Sequence, residues 1–365
     1  MSPVKVSLVQ IRASLKPVLS AVLALVVGLT LGLLVAKTAG ESPLHVLQVL
    51  VKSAFGTRYD LGVTLFYATP LIFCGLSVAV AFHAGLFNIG AEGQITLGAL
   101  AAAVFGTLVP HLPLYIAPLC ATLVAVLVAG FWAWIAGWLR AHRGSHEVIN
   151  TIMLNFIAFA IASYVTTNIF QNTRNQNPET ADMGDAYFIR AYDPVAKFFG
   201  DAPAGSAFLL AILMALALWF VLWKTSFGFQ LRATGENETA AKFAGIPVAK
   251  IRRRAMFLAG AFAGLVAYSE VMGNAARFRL GFSADYGFIG IAVALLAQNN
   301  PIGIIFTGIL FAALHKGAAD LDIETEHITH DLSVVIQALV ILSVSLASLL
   351  PIWWAKLKKT KGAKQ

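Results

Sequence analysis

Charge is scarce in this chain. Only 12% of its 365 residues are Asp, Glu, Lys or Arg, about half of the roughly 25% that soluble domains carry. So few charges cannot cover a water-exposed surface, which excludes an ordinary soluble protein. Apolar residues take their place, at 58% of the total, and they fall in long runs separated by short polar segments. We therefore expect one membrane domain.

Cysteine is scarce too, and the common reactive motifs are absent. Cys74 and Cys120 are the only cysteines, and neither has a CxxC or His-rich spacing near it, which argues against a disulfide framework or a metal site. The sequence contains no GxxxxGK[ST] phosphate loop, no GxSxG and no HExxH. We expect no enzyme activity, no metal and no cofactor, and any ATPase has to be a separate chain.

The apolar runs predict an all-α polytopic membrane protein with about ten transmembrane helices, since roughly 20 apolar residues cross the hydrocarbon core. The transmembrane domain is expected over 17–354, between an N-terminal segment 1–16 and a basic tail 355–365. The predicted spans are 17–36, 61–82, 95–109, 113–139, 148–169, 206–223, 255–273, 286–298, 302–315 and 332–354.

The basic residues flank the apolar runs, which favours a topological role over nucleic-acid binding. With ten spans both ends of the chain lie on one side, and the segments of that side hold 17 of the 26 Lys and Arg residues. The positive-inside rule therefore places both termini, and the loop 224–254, in the cytoplasm. The first five spans and the last five enter from opposite sides. This order predicts an inverted five-plus-five repeat with the substrate path between the halves.

The segment 81–97 (AFHAGLFNIGAEGQITL) is the least lipid-like part of the first half. It places Asn88, Glu92 and Gln94 among three glycines, and that spacing fits a short break between two helices. Two alternatives explain this pattern equally well. The segment is either a plain cytoplasmic turn with a solvated Glu92 or the lining of a translocation path.

Two further candidate residues lie inside predicted spans. Asn155 is deep enough in its apolar run to need a partner, and hydrogen bonding to another helix is the plainer account. Glu270 is the only acidic residue within a span, where ionisable groups face the bundle interior or a cavity; pairing with Arg277 or Arg279 stays open beside substrate contact. The candidates for the translocation path are Asn88, Glu92, Gln94, Asn155 and Glu270.

The loop 224–254 has the pattern of a short helix that ends at Gly245. An exposed helix with small residues could lie in a groove on a partner. Spacing alone favours an ordinary solvated loop.

Four segments resemble the permeases of ABC importers for nucleosides, simple sugars and branched-chain amino acids. They are GLFNIGAEGQ (85–94), HEVINTIMLNFIA (146–158), LRATGENETAAKFAGI (231–246) and GFIGIAVALLAQNNPIG (287–303). The resemblance runs over about 61–354, and FNIGAEGQ with TIMLN is most similar to the nucleoside branch. The chain departs from the family at AQNNPIG, where relatives often carry a basic residue before Asn-Pro.

The resemblance implies that the stretch around 235–245 is a coupling helix that docks on an ATPase. Its candidate coupling residues are Gly235, Glu236, Glu238, Ala240, Ala241 and Gly245. It also implies cytoplasmic ATP-binding subunits, a second permease subunit and an extracytoplasmic substrate-binding protein, in a bacterial inner membrane. The expected solute is a nucleoside or related small polar molecule. The alternatives are a simple-sugar permease and a stand-alone secondary transporter or channel.

Overall fold

The computed structural model describes residues 25–173, 176–283, 285–329, 331–343 and 346. Their regular structure is helical, apart from two isolated β-bridges. The helices are α1 Leu25–Thr38, α2 Pro43–Phe55, α3 Arg58–His83, α4 Ala91–Leu108, α5 Ile116–Arg143, α6 Glu147–Asn168, α7 Pro194–Phe198, α8 Ser206–Lys224, α9 Ser226–Glu236, α10 Glu238–Phe243, α11 Val248–Gly264, α12 Tyr286–Leu296, α13 Pro301–Glu324 and α14 Asp331–Ser343. A π-helix, Tyr268–Ala275, follows α11, and two single-turn 3-10 helices precede α7.

Within the described part of the chain, seven helical segments are long and apolar enough to cross a membrane. They are α3, α4, α5, α6, α8, the continuous stretch Val248–Ala275 and α13. The all-α, multi-pass class predicted from the sequence is therefore confirmed. The count of ten spans, the inverted repeat and the side of the termini stay predictions.

The boundaries of the predicted spans differ most where helices are short or broken. The span predicted over 286–298 is the 11-residue helix α12, which covers about 16 Å and is too short to cross a bilayer alone. The helix α2 was not predicted at all. Some of the predicted regions lie outside the described residues. They are the segments 1–16 and 355–365, the first part of the span predicted over 17–36 and the last part of the span predicted over 332–354.

The chain forms two compact units, of which the larger is Phe55–Ala313 and the smaller combines the regions before and after it. In the smaller unit, glycines let helices approach closely. A Cβ built on Gly28 of α1 would lie 2.8 Å from the Cα of Val340 in α14, and one on Gly317 would lie 2.9 Å from the side chain of Leu50.

In the larger unit, α5 and α11 pack through small residues. The buried face of α5 carries an alanine every fourth position from Ala117 to Ala133. A Cβ built on Gly264 of α11 would lie 2.7 Å from the carbonyl oxygen of Ala125. Such close backbone approach is how helices associate in lipid, where apolar burial gives no net driving force. The opposite face of α5 exposes large side chains such as Leu119 and Phe131.

Helix α3 lies at the centre of the larger unit. Of its most apolar 18-residue window, 83% is buried, and a helix that is apolar on all sides is expected in such a position. A capping box starts it, because Thr57 accepts from the backbone N–H of Asp60 and the Asp60 carboxylate accepts from that of Thr57, both at 3.1 Å. The break that follows its last residue, His83, forms the candidate site.

Candidate functional site

The connection between α3 and α4 turns back along α3. Gly85 adopts a φ of +69°, a left-handed conformation that glycine enters without steric cost. Three residues later, the side-chain amide of Asn88 lies 3.4 Å from Ser77 Oγ. Ser77 lies about 9 Å back along α3 from the last residue of that helix. The connection is therefore folded into the protein. Glu92, at the start of α4, is only 3% exposed, so the solvated carboxylate considered as an alternative is not what this chain forms.

Asn88 and Gln94 form a reciprocal amide pair. The Asn88 side chain donates to Gln94 Oε1 at 3.0 Å, and Gln94 Nε2 donates to Asn88 Oδ1 at 3.0 Å. Asn88 Oδ1 also accepts from the backbone N–H of Gly90 at 3.0 Å. Buried amides without such partners would be costly. The pair fastens the first turn of α4 to the connection before it.

Asn155 of α6 holds the same segment from the other side. Its Oδ1 accepts from the backbone N–H of Gly93 at 2.9 Å, and its Nδ2 donates to the carbonyl oxygen of Ile89 at 3.0 Å. The hydrogen bond between helices expected for this buried amide is confirmed.

Glu92 connects α4 to α12. Its Oε2 accepts from the backbone N–H of Gly287 at 2.7 Å, and its Oε1 accepts from Ser283 Oγ. The N–H of Gly287 is one of the donors that a helix leaves unsatisfied in its first turn. The carboxylate also lies where the helix dipole favours negative charge.

Glu270 lies in the π-helix, a rare form that is common at functional sites. It is 6% exposed, and the side chains of Tyr286 and Asn274 face its carboxylate. Its Oε1 is buried and makes no hydrogen bond within the described part of the chain. The pairing with Arg277 considered from the sequence is not seen, because Arg277 bonds Glu179 instead, at 2.7 Å.

Three of the path candidates, Asn88, Gln94 and Asn155, bond the connection before α4 and its first turn. The other two, Glu92 and Glu270, both reach the start of α12, where Gly287 donates to Glu92 and the neighbouring Tyr286 faces Glu270. A polar cavity of about 340 Å³ lies next to this region and shares Asn274 with it. The cavity is lined by Asn177, Glu179, Asn274, Ala275, Arg277 and Arg279. Reasoning from the sequence missed both Ser283, which bonds Glu92 of a distant segment, and Asn274, which follows Glu270 in the same π-helix.

The far end of α12 is fixed by a second break. Gln298 and Asn299 both adopt left-handed φ angles, of +53° and +57°, which a non-glycine residue rarely does. His83 Nε2 lies 3.1 Å from the carbonyl oxygen of Asn299. This break is formed by AQNNPIG, the motif in which the chain departs from the family. After the break, Asn300 Oδ1 accepts from the N–H of Ile302 at 3.0 Å in the first turn of α13.

The predicted coupling segment contains a separate short helix, α10. Asn237 starts it by accepting from the N–H of Ala240 at 3.0 Å. Glu238 bonds Lys242 at 2.7 Å and Arg252 at 2.8 Å, and the bonds to Lys242 and then Arg252 hold the pKa of the Glu238 carboxyl below its usual range. These contacts fasten α10 to the start of α11.

One face of α10 is open to solvent. Phe243 is 90% exposed, and Gly245 ends the helix with a φ of +76° and open space around it. Ala241 is only 3% exposed, so it faces inward. Of the candidate coupling residues, Gly235 and Glu236 lie in the last turn of α9, Glu238, Ala240 and Ala241 in α10, and Gly245 in the turn after it.

The chain is similar to permease proteins of ABC transporters over most of its length. It is 35% identical to the guanosine ABC transporter permease protein NupP of Bacillus subtilis (strain 168), over 90% of this chain and 93% of that protein. It is 31% identical to the nucleoside ABC transporter permease protein NupB of Lactococcus lactis subsp. cremoris (strain MG1363), over 89% of each. It is 34% identical to the glucose ABC transporter permease protein TsgB13 of Haloferax volcanii, over 82% of this chain and 80% of that protein.

A family model agrees with these relatives. The model of the branched-chain amino acid transport system permease component matches residues 61–345, a range that includes the four segments on which the resemblance was based. The chain belongs to this family of membrane permease components.

Proposed function

We propose that the chain is the permease subunit of an ABC importer that carries a nucleoside, or a related small polar solute, across a bacterial inner membrane. The observation that carries this proposal is the similarity to a guanosine permease and a nucleoside permease, over 90% and 89% of this chain. The glucose permease among the relatives favours a simple sugar as the second candidate. A ribose-bearing nucleoside and a sugar both present several hydroxyl groups.

The proposed orientation has both termini in the cytoplasm and about ten spans in two inverted halves. The excess of Lys and Arg in the segments on that side supports it. In this orientation α10 faces the cytoplasm, where ATP is hydrolysed.

The proposed path passes the start of α12. Glu270 is the residue we assign to solute contact, because its buried Oε1 can accept a hydrogen bond from a hydroxyl or N–H group. Asn88, Glu92, Gln94 and Asn155 use their polar groups on one another and on backbone atoms. Their proposed part is to hold the polar wall of the path in shape.

The proposed motor is a separate ATP-binding subunit that docks on α10. The sequence has no phosphate loop of its own, and Phe243 presents a large apolar side chain to water on a small helix. Such an exposed aromatic suits a pocket on a partner. A second permease subunit and an extracytoplasmic binding protein complete the proposed importer. ATP then acts by changing the relative stabilities of the inward-facing and outward-facing states.

A thermal-shift screen of the cognate binding protein tests the solute. Nucleosides are expected to raise its melting temperature, whereas sugars and amino acids are not. Stabilisation by a sugar alone would replace the nucleoside with the second candidate.

A further inference from the structure

The end of α9 meets the connection after α3 through two glycines. A Cβ built on Gly235 would overlap the carbonyl oxygen of His83 and lie 2.9 Å from the amide nitrogen of Gly85. A Cβ built on Gly85 would lie 3.1 Å from the Cα of Gly235. Backbone therefore touches backbone here, with no flexible side chain between the two segments. We call this contact the glycine joint.

The glycine joint belongs to a segment that is bonded to both ends of α12. His83, just before the joint, contacts the carbonyl oxygen of Asn299 after the end of α12. Glu92, seven residues after Gly85, binds the N–H of Gly287 at its start. The segment 83–92 and α12 thus lie side by side and are fastened at two points. A displacement of this segment has to displace α12 or break one of these bonds.

Space for such a displacement exists next to the joint. A cavity of about 610 Å³ is lined by residues of α3, α8 and α9 and of the break after α12. Gly235, His83 and Asn299 are all part of its wall. Because the cavity borders both α9 and the break after α12, α9 can shift relative to α12 without first displacing a packed core.

We propose that the glycine joint transmits the motion of the ATPase-docking helix to α12, which makes α12 the moving part of the permease. The inference rests on the proposed docking at α10, which follows α9 after a single residue, Asn237. Gly85 and Gly235 are then positioning residues that contact no solute. Their function is to keep two backbones in direct contact while the importer changes state.

A matched pair of glycine variants tests the joint. Gly85→Ala and Gly144→Ala each place a side chain on left-handed backbone, at φ +69° and +66°, so their local strain is alike. Gly144 has no neighbour within 4 Å, whereas Gly85 touches Gly235. The measurement is solute transported per ATP hydrolysed by the complete importer. We expect Gly144→Ala to match the wild type and Gly85→Ala to lower the ratio about fivefold, within the range known for mutations that change coupling.

A second measurement needs no change at the joint. Cys74 of α3 is fully buried beneath α12, where a Cβ on Gly290 would lie 3.0 Å from its carbonyl carbon. In a Cys120→Ser chain, Cys74 is the only thiol and reports on the position of α12. We expect ATP to change the rate at which a small maleimide modifies Cys74 in the assembled importer.

The results separate the joint from the docking. If ATP drives transport but leaves the Cys74 rate unchanged, α12 does not move and the proposal is overturned. An unchanged transport ratio in Gly85→Ala overturns it as well. Failure of the docking itself would show independently, as an ATP-binding subunit that still associates when Phe243 is replaced by Glu.

Discussion

Glu92 of α4 and Gly287 of α12 lie 195 positions apart in the sequence, and a hydrogen bond of 2.7 Å joins the carboxylate oxygen of the first to the backbone N–H of the second. The carboxylate accepts from Ser283 Oγ as well. The N–H of Gly287 can only donate, whereas the Ser283 hydroxyl can donate or accept, so the bond to Gly287 is the one that requires an acceptor oxygen.

Glu92→Gln is expected to lower the stability of the permease by about 1 kcal/mol, the difference between a hydrogen bond to a charged group and one to a neutral group. The amide oxygen still accepts from Gly287 and the N–H₂ group donates to the Ser283 hydroxyl, but the negative charge at the start of α12 is lost. Thermal unfolding in detergent measures the effect. Glu326→Gln, at an exposed position, is the control, and an equal melting temperature for both variants would count against the bond.

Asn155→Leu is expected to destabilise the connection between α3 and α4. It leaves the N–H of Gly93 and the carbonyl oxygen of Ile89 buried without their partner, at a cost of about 1–3 kcal/mol for each group. The control is Asn168→Leu, the same substitution at an exposed position of the same helix. Unfolding in detergent should separate the two variants. If both unfold alike, Asn155 does not hold the segment.

Phe243→Glu is expected to abolish association with the ATP-binding subunit while leaving membrane insertion intact. The side chain is 90% exposed, so its replacement leaves the fold of the permease unaffected. Co-purification measures the association. Phe198→Glu, at another strongly exposed phenylalanine in α7, is the control and should retain it.

Ala241→Arg should also abolish transport, but Ala241 is buried, so that variant disturbs packing as well as docking.

Glu270→Gln is expected to raise the KM for uptake about tenfold, equivalent to about 1.4 kcal/mol of binding. The amide is a weaker acceptor than the carboxylate, whose buried Oε1 makes no hydrogen bond among the described residues. Assembly and the melting temperature should change little. Glu324→Gln, at an exposed position, is the control. A lower melting temperature with an unchanged KM would make Glu270 a structural residue.

The sequence predicted the features that depend on local pattern. Apolar runs located α3, α5, α6 and α8, and the glycines around Asn88 located the break before α4. The requirement that a buried amide be satisfied identified Asn155 as a bonding residue. These predictions need only periodicity and the cost of burial.

Other features depend on contacts between distant segments and could not be predicted in this way. Ser283 and Gly287 bind Glu92 because α12 begins beside α4, and nothing local marks either residue as a donor. Gln298 and Asn299 adopt left-handed backbone conformations, which their residue types alone do not predict. The glycine joint brings together Gly85 and Gly235 from segments that are far apart in the sequence, so no local pattern predicts it.

Reconstitution tests the central claim most directly. The chain is inserted into vesicles, alone or with its second permease subunit, the ATP-binding subunits and the binding protein, and uptake of radiolabelled guanosine is followed with and without ATP. We predict accumulation only in the complete assembly with ATP, and competition by other nucleosides in preference to glucose. Gradient-driven uptake by the chain alone would contradict the account, since it would make this protein a stand-alone transporter.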